Sequence, residues 1–169
     1  DDDYVRLFAL VDALNLADPD AYLSAVEALV DVEQWMRIFA VRRIVGDGDG
    51  YSYERGKNQF AYKPEHDRWK MLLWELDFSL GGEGSRDPDD GVFSDVEDPT
   101  IQRMYGTPAL VRPYLRAMYD AVQGPLQAGE VWPVLSAQYA ALQANGVAAA
   151  DPSEVASWIG QRRSHIQGE

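Results

Sequence analysis

The sequence predicts an α+β fold that is predominantly helical, with one small β-hairpin at its centre. Helical apolar spacing fills the first 45 residues and returns after Thr107, and both blocks carry helix-capping residues. Between them stand two short aromatic and aliphatic runs joined by a turn, the pattern of a hairpin. Two loops rich in Gly and Asp flank the hairpin: "GDGDGYSYERGKN" at 46–58 and "GGEGSRDPDDGVFSDVEDP" at 81–99.

Residues 4–15, "YVRLFALVDALN", have helical spacing and end at Asn15. "DPDAYLSAVEAL" follows, with Pro19 well placed in a first helical turn after Asp18. In "DVEQWMRIFAVRRIVG", Asp31 caps, Gln34 stands at the capping-box position, and Val32, Trp35, Met36 and Phe39 form one stripe. Gly46 stops this helix, which therefore delivers the chain into the first loop. "NQFAYK" and "RWKMLLWELDF" read as strands around the turn "PEHD". Consecutive apolar residues from Met71 to Trp74 predict a second strand covered on both faces. The 81–99 stretch is expected to be a long surface loop with a functional or mobile character. Helices are expected again over 107–124, around 130–144 and from Asp151 onward, where Glu154 holds the capping-box position. All five Trp are expected in the core.

Composition narrows the function. One domain over residues 1–169 is expected from the length, and 46% hydrophobic content argues against disorder. The formal charge of −13 repels nucleic acid and anionic membranes and suits divalent cations or a basic partner. No apolar run approaches the roughly 20 residues of a membrane span. Cys is absent, and the two histidines, His66 and His165, lack zinc spacing. The chain opens on "DDDY", so it is expected to be a piece of something longer.

The 46–58 loop invites four chemistries. A phosphate-binding P-loop fails because five residues separate Gly50 from Gly56-Lys57 and Asn58 stands where Ser or Thr is needed. An EF-hand starting at Asp47 fails because Ser52 replaces the obligatory Gly and Asn58 the bidentate Glu; one starting at Asp87 has Val92 at the Gly position. Magnesium-dependent group transfer survives. It needs a helix, an Asp-bearing loop, an Asn, two strands and a second Asp, and this chain supplies Asp49, Asn58 and Asp77 in that order. Mg²⁺ takes oxygen ligands, so the residue types fit. The fourth reading is a plain Asp-Gly turn, with Asn58 capping the strand and Arg55 and Lys57 merely solvated.

Residues 30–81 resemble the core of the CotH (spore coat protein H) kinase family. That family shows a Trp-containing helix, a "GDWD"-like turn, "GKN" before a hairpin with "YKP", and a closing "PWDLDFSFG"-like segment. The matching stretches here are "GDGD", "GKN", "YKP" and "WELDFSLG", and the later "WIGQRR" at 158–163 is also similar. The resemblance implies the C-lobe-like part of an atypical, secreted or cell-surface kinase that transfers phosphate from Mg-ATP to protein Ser or Thr. It implies Asp49 as catalytic base and Asn58 and Asp77 as metal ligands; Arg55 and Lys57, read from the residues alone, are the candidates to face phosphates beside the solvated-loop reading. Ca²⁺ is the alternative cation. Gly48 departs from the family's Trp, Glu75 from an Asp, and Leu73 from a Pro. Residues 1–45 supply no strand-rich lobe with a phosphate-binding Lys, which the upstream sequence is expected to provide. Two other uses of the same fold remain open: a coat-assembly or adhesion module binding Ca²⁺ or a protein, and transfer of AMP or an amino acid.

Overall fold

The computed structural model describes residues 4–53 and 57–169. Its helices are α1 (Val5–Leu14), α2 (Pro19–Leu29), α3 (Val32–Val45), α4 (Pro99–Gly106), α5 (Pro108–Gln123), α6 (Ala128–Ala144) and α7 (Ser153–Gly168). Strands β1 (Gln59–Tyr62) and β2 (Lys70–Leu73) form an antiparallel pair with Phe60 opposite Leu72 and Ala61 opposite Met71. The predominantly helical α+β class is as the sequence predicts, with three helices preceding the first loop.

Helix α3 organises the molecule. Asp31 accepts from the Gln34 amide at 3.2 Å and caps its start. Gly46, at φ 67°, ends it in the left-handed conformation that suits glycine. Trp35, Met36, Phe39 and Ala40 are buried, and α3 packs chiefly against α5, whose Leu110, Tyr114 and Met118 belong to the same buried cluster. Each fully buried Met or Phe contributes about 1.5–3 kcal/mol. The Gln34 side chain does not close a capping box. Its amide donates to the Met71 carbonyl at 2.6 Å and its Oε1 accepts from the Met71 N–H at 2.9 Å. It thus pairs with β2 as a neighbouring strand would, and fixes the hairpin to α3.

Three expectations are corrected. The second strand is not covered on both faces: Met71 is buried, whereas Leu72, Leu73 and Trp74 are exposed. A two-stranded ribbon has only one face on the core, so Phe60, Tyr62, Leu72 and Trp74 form an open apolar surface, with Phe60 and Trp74 edge to face at 5.5 Å. Trp35, Trp69 and Trp158 are core residues as expected, but Trp74 and, on α6, Trp132 are exposed. Finally, 81–99 is irregular as expected, but its end starts α4, whose Asp98 cap accepts from the Thr100 and Ile101 amides. No helix among the described residues is long and apolar enough to cross a membrane.

Candidate functional site

The last turn of α3 carries Arg42 and Arg43, both fully buried. Arg42 pairs with Asp47 and donates to the Asn58 carbonyl, and its second nitrogen also donates to the Trp74 carbonyl at 2.6 Å. One guanidinium therefore binds the Asp-Gly turn, the start of β1 and the end of β2. Burial pushes the Asp47 carboxyl up, while the Arg42 charge and hydrogen bond oppose it. Asp47 is thus a structural anion that holds the loop on its helix.

Asp49 lies two residues on and is only 5% exposed. Its Oδ1 accepts from the Asn58 side-chain amide at 2.8 Å, across nine residues of sequence. Its Oδ2 meets the Lys57 ammonium at 2.5 Å, and Lys57 is half exposed. Of the residues expected in the site, Asp49, Lys57 and Asn58 are therefore in direct contact. Asn58 adopts φ 58°, a left-handed conformation that Asn tolerates better than most residues. That turn aims its amide at Asp49. The Asn58 side-chain oxygen receives no hydrogen bond among the described residues. Arg55 lies outside the described residues.

Asp77 is differently placed from the expectation. It does not end a strand, since β2 stops at Leu73, and it is exposed, so no burial cost marks it out. It sits between Glu75 and Leu80, both at positive φ (52° and 56°), in a segment that runs beside the end of α3. The Gly48 amide donates to the Phe78 carbonyl at 2.9 Å, and the Leu80 amide to the Val45 carbonyl at 2.8 Å. Asp49 and Asp77 thus each flank one end of the Gly48–Phe78 hydrogen bond. Asp77 makes no hydrogen bond or ion pair among the described residues. No three His, Cys, Asp or Glu side chains among these residues form a cation cage. Asp77 and the Asn58 side-chain oxygen are each of the oxygen-donor type that Mg²⁺ takes, its other ligands coming from phosphate and water.

The acidic loop closes the site from behind. The Arg86 amide donates to the Gly46 carbonyl at 2.9 Å, and a side chain at residue 48 would run into the Gly84 carbonyl oxygen. Tyr51 packs near the α4 cap, where burial and then the Asp98 carboxylate push its phenol up to about 12. The buried arginines were not among the residues singled out from sequence. The signal that could have found them is an Arg-Arg pair in the last turn of a helix that opens directly onto "GDGD".

No curated protein matches this chain, and no solved structure matches it. The family model described as "CotH kinase protein" matches residues 1–159. That match spans both loops, the hairpin and the Asp49–Asn58 contact, and so the chain belongs to the CotH kinase protein family.

Proposed function

We propose that this chain carries the base- and metal-binding part of an atypical protein kinase that transfers phosphate from Mg-ATP to a protein Ser or Thr hydroxyl. The observation that carries the reading is the Asn58–Asp49 hydrogen bond. Kinase chemistry needs a carboxylate base held beside an Asn that serves the metal, usually about five residues apart. Here the separation is nine, yet the turn at Asn58 restores the contact.

In this reading Asp49 takes the proton of the substrate hydroxyl. The hydroxyl oxygen forms its bond to the terminal phosphorus as the bond from that phosphorus to the ADP oxygen breaks. Lys57 would leave Asp49 to face the phosphate oxygens, and Asn58 and Asp77 would hold Mg²⁺. The metal, when bound, neutralises charge developing on the phosphates. The protein acts at the cell surface or outside the cell, in line with its family's association with the spore coat.

The exposed face of Phe60, Tyr62, Leu72 and Trp74 favours a second reading, a non-catalytic assembly module that docks a protein there. One assay separates the two. In the full-length protein, D77N and D49N should each lower Mg-ATP-dependent transfer to protein at least 100-fold. Transfer at the wild-type rate by D77N rejects the metal assignment. Absence of transfer by the wild type favours the assembly module.

A further inference from the structure

Arg162 of α7 is fully buried and has no role in the site as described so far. Its Nη2 donates to the Arg43 carbonyl at 2.8 Å. Its Nη1 donates to the Pro88 carbonyl at 3.3 Å and to the Asp90 carbonyl. These acceptors are backbone atoms from two segments, the last turn of α3 and the acidic loop. No carboxylate lies within ion-pair distance of Arg162 among the described residues. A buried guanidinium answered only by carbonyls is a costly way to fill space, and a well-packed apolar residue is usually no worse for stability. What only a guanidinium supplies is a planar fork of donors that fixes several acceptors relative to one another.

The two segments it joins are those that shape the Asp49 turn. Two residues before Pro88, the Arg86 amide binds the carbonyl of Gly46, which lies three residues after Arg43. Trp158, one helical turn before Arg162, donates its indole N–H to the Arg86 carbonyl at 3.3 Å. Its ring lies where a Cβ on Gly46 would be, 2.6 Å away. Arg43 adds to the same tie. It donates to the Ser52 carbonyl at 2.7 Å, stacks 3.5 Å over the Tyr53 ring, and stands 3.8 Å from Asp90.

We propose that Arg162 is a positioning residue that locks the acidic loop against the Asp47–Asp49 turn, so that the orientation of Asp49 depends on a side chain of α7. Release of Arg162 frees residues 84–90 from α3, removes the Gly84 wall beside Gly48, and loosens Asp49 from Asn58. The lock thereby regulates the site of the kinase reading, on which its catalytic consequence rests. The mechanical coupling itself does not depend on that reading.

Arg163 is the internal control. It is the next residue on α7 and also donates to a backbone carbonyl, that of Val122 at 2.9 Å, but it touches neither the loop nor α3. The experiment compares R162K and R163K by amide hydrogen exchange and by the side-chain amide resonance of Asn58. In R162K, exchange at Gly48 and Arg86 should rise at least 10-fold more than at core amides such as Met118, and the Asn58 resonance should shift. R163K should change these sites and the core alike. A uniform rise in R162K, matching R163K, overturns the proposal. If R162K does not fold, the wild type still decides. Under native-state exchange, Gly48, Arg86 and the Trp158 indole should open as one unit, and independent opening of Gly48 overturns the coupling. Transfer assays on the same proteins should show kcat falling at least 10-fold in R162K with the KM for ATP within 2-fold. Loss of transfer from the wild type as well rejects the kinase reading and leaves the exchange result to stand or fall alone.

Discussion

The Gly48 backbone lies so close to the Gly84 carbonyl oxygen that no side chain fits between them. This contact joins the Asp49 turn to the 81–99 loop by bringing two backbones together.

G48A should therefore destabilise the protein by about 1–3 kcal/mol, the usual range for overpacking, and G48W by more. Urea unfolding monitored by tryptophan fluorescence measures it. A change of less than about 0.5 kcal/mol for G48A contradicts this packing.

Arg42 is the sole ion-pair partner of buried Asp47 among the described residues, and it holds two further carbonyls. R42M should cost about 3–5 kcal/mol, because it leaves a buried carboxylate uncompensated. The loss should shrink as pH falls. Removing Arg42 raises the Asp47 pKa further, and a group with a raised folded pKa takes up a proton on folding, so acid favours the folded variant. Unfolding of R42M at pH 7 and pH 5 tests this; an unchanged deficit at pH 5 contradicts it.

Acid should weaken the wild type through Asp31 as pH falls below about 4. Burial pushes its carboxyl up, but Lys70, the Gln34 amide and Arg68 outweigh that and hold it below 3.8. The Arg68 amide and Lys70 likewise lower Asp67, and Ser153 lowers Asp151. A lowered folded pKa gives stability that is present above the unfolded value and is lost as pH falls through the folded one. Asp47, with its raised pKa, runs in the opposite sense, becoming less unfavourable in acid. D31N should flatten the acid slope of the urea midpoint, and a slope unchanged by D31N removes Asp31 as its source.

The helical half of the fold was legible because its punctuation is local. Asp18-Pro19, Asp31 and Gly46 each act within one turn, and the structure uses them as read. Asp98-Pro99 carries the same signature as Asp18-Pro19, but it closes a stretch dominated by Gly, Asp and Pro, and no helix is expected over 100–106, where α4 runs. The Asp49–Asn58 contact was legible as an order of residues, not as a distance. The exposed faces of Leu72 and Trp74 were not legible, because apolar residues on a two-stranded ribbon read the same whether or not a partner covers them. Least legible were Arg42, Arg43 and Arg162. Their partners are mostly backbone carbonyls of distant segments, which have no residue type and leave no pattern in the sequence.

In the proposed kinase reading, Asp49, Asn58 and Asp77 belong to one metal–phosphate site. Paramagnetic broadening by Mn²⁺, standing in for Mg²⁺, tests it most directly on the full-length protein with ATP present. The Asn58 side-chain amide and the backbone amides of Asp49 and Asp77 should broaden together at one Mn²⁺ equivalent, and D77N should abolish the effect at Asn58. Broadening at Asp77 that leaves Asn58 sharp, or broadening of Asn58 that survives D77N, contradicts a shared site.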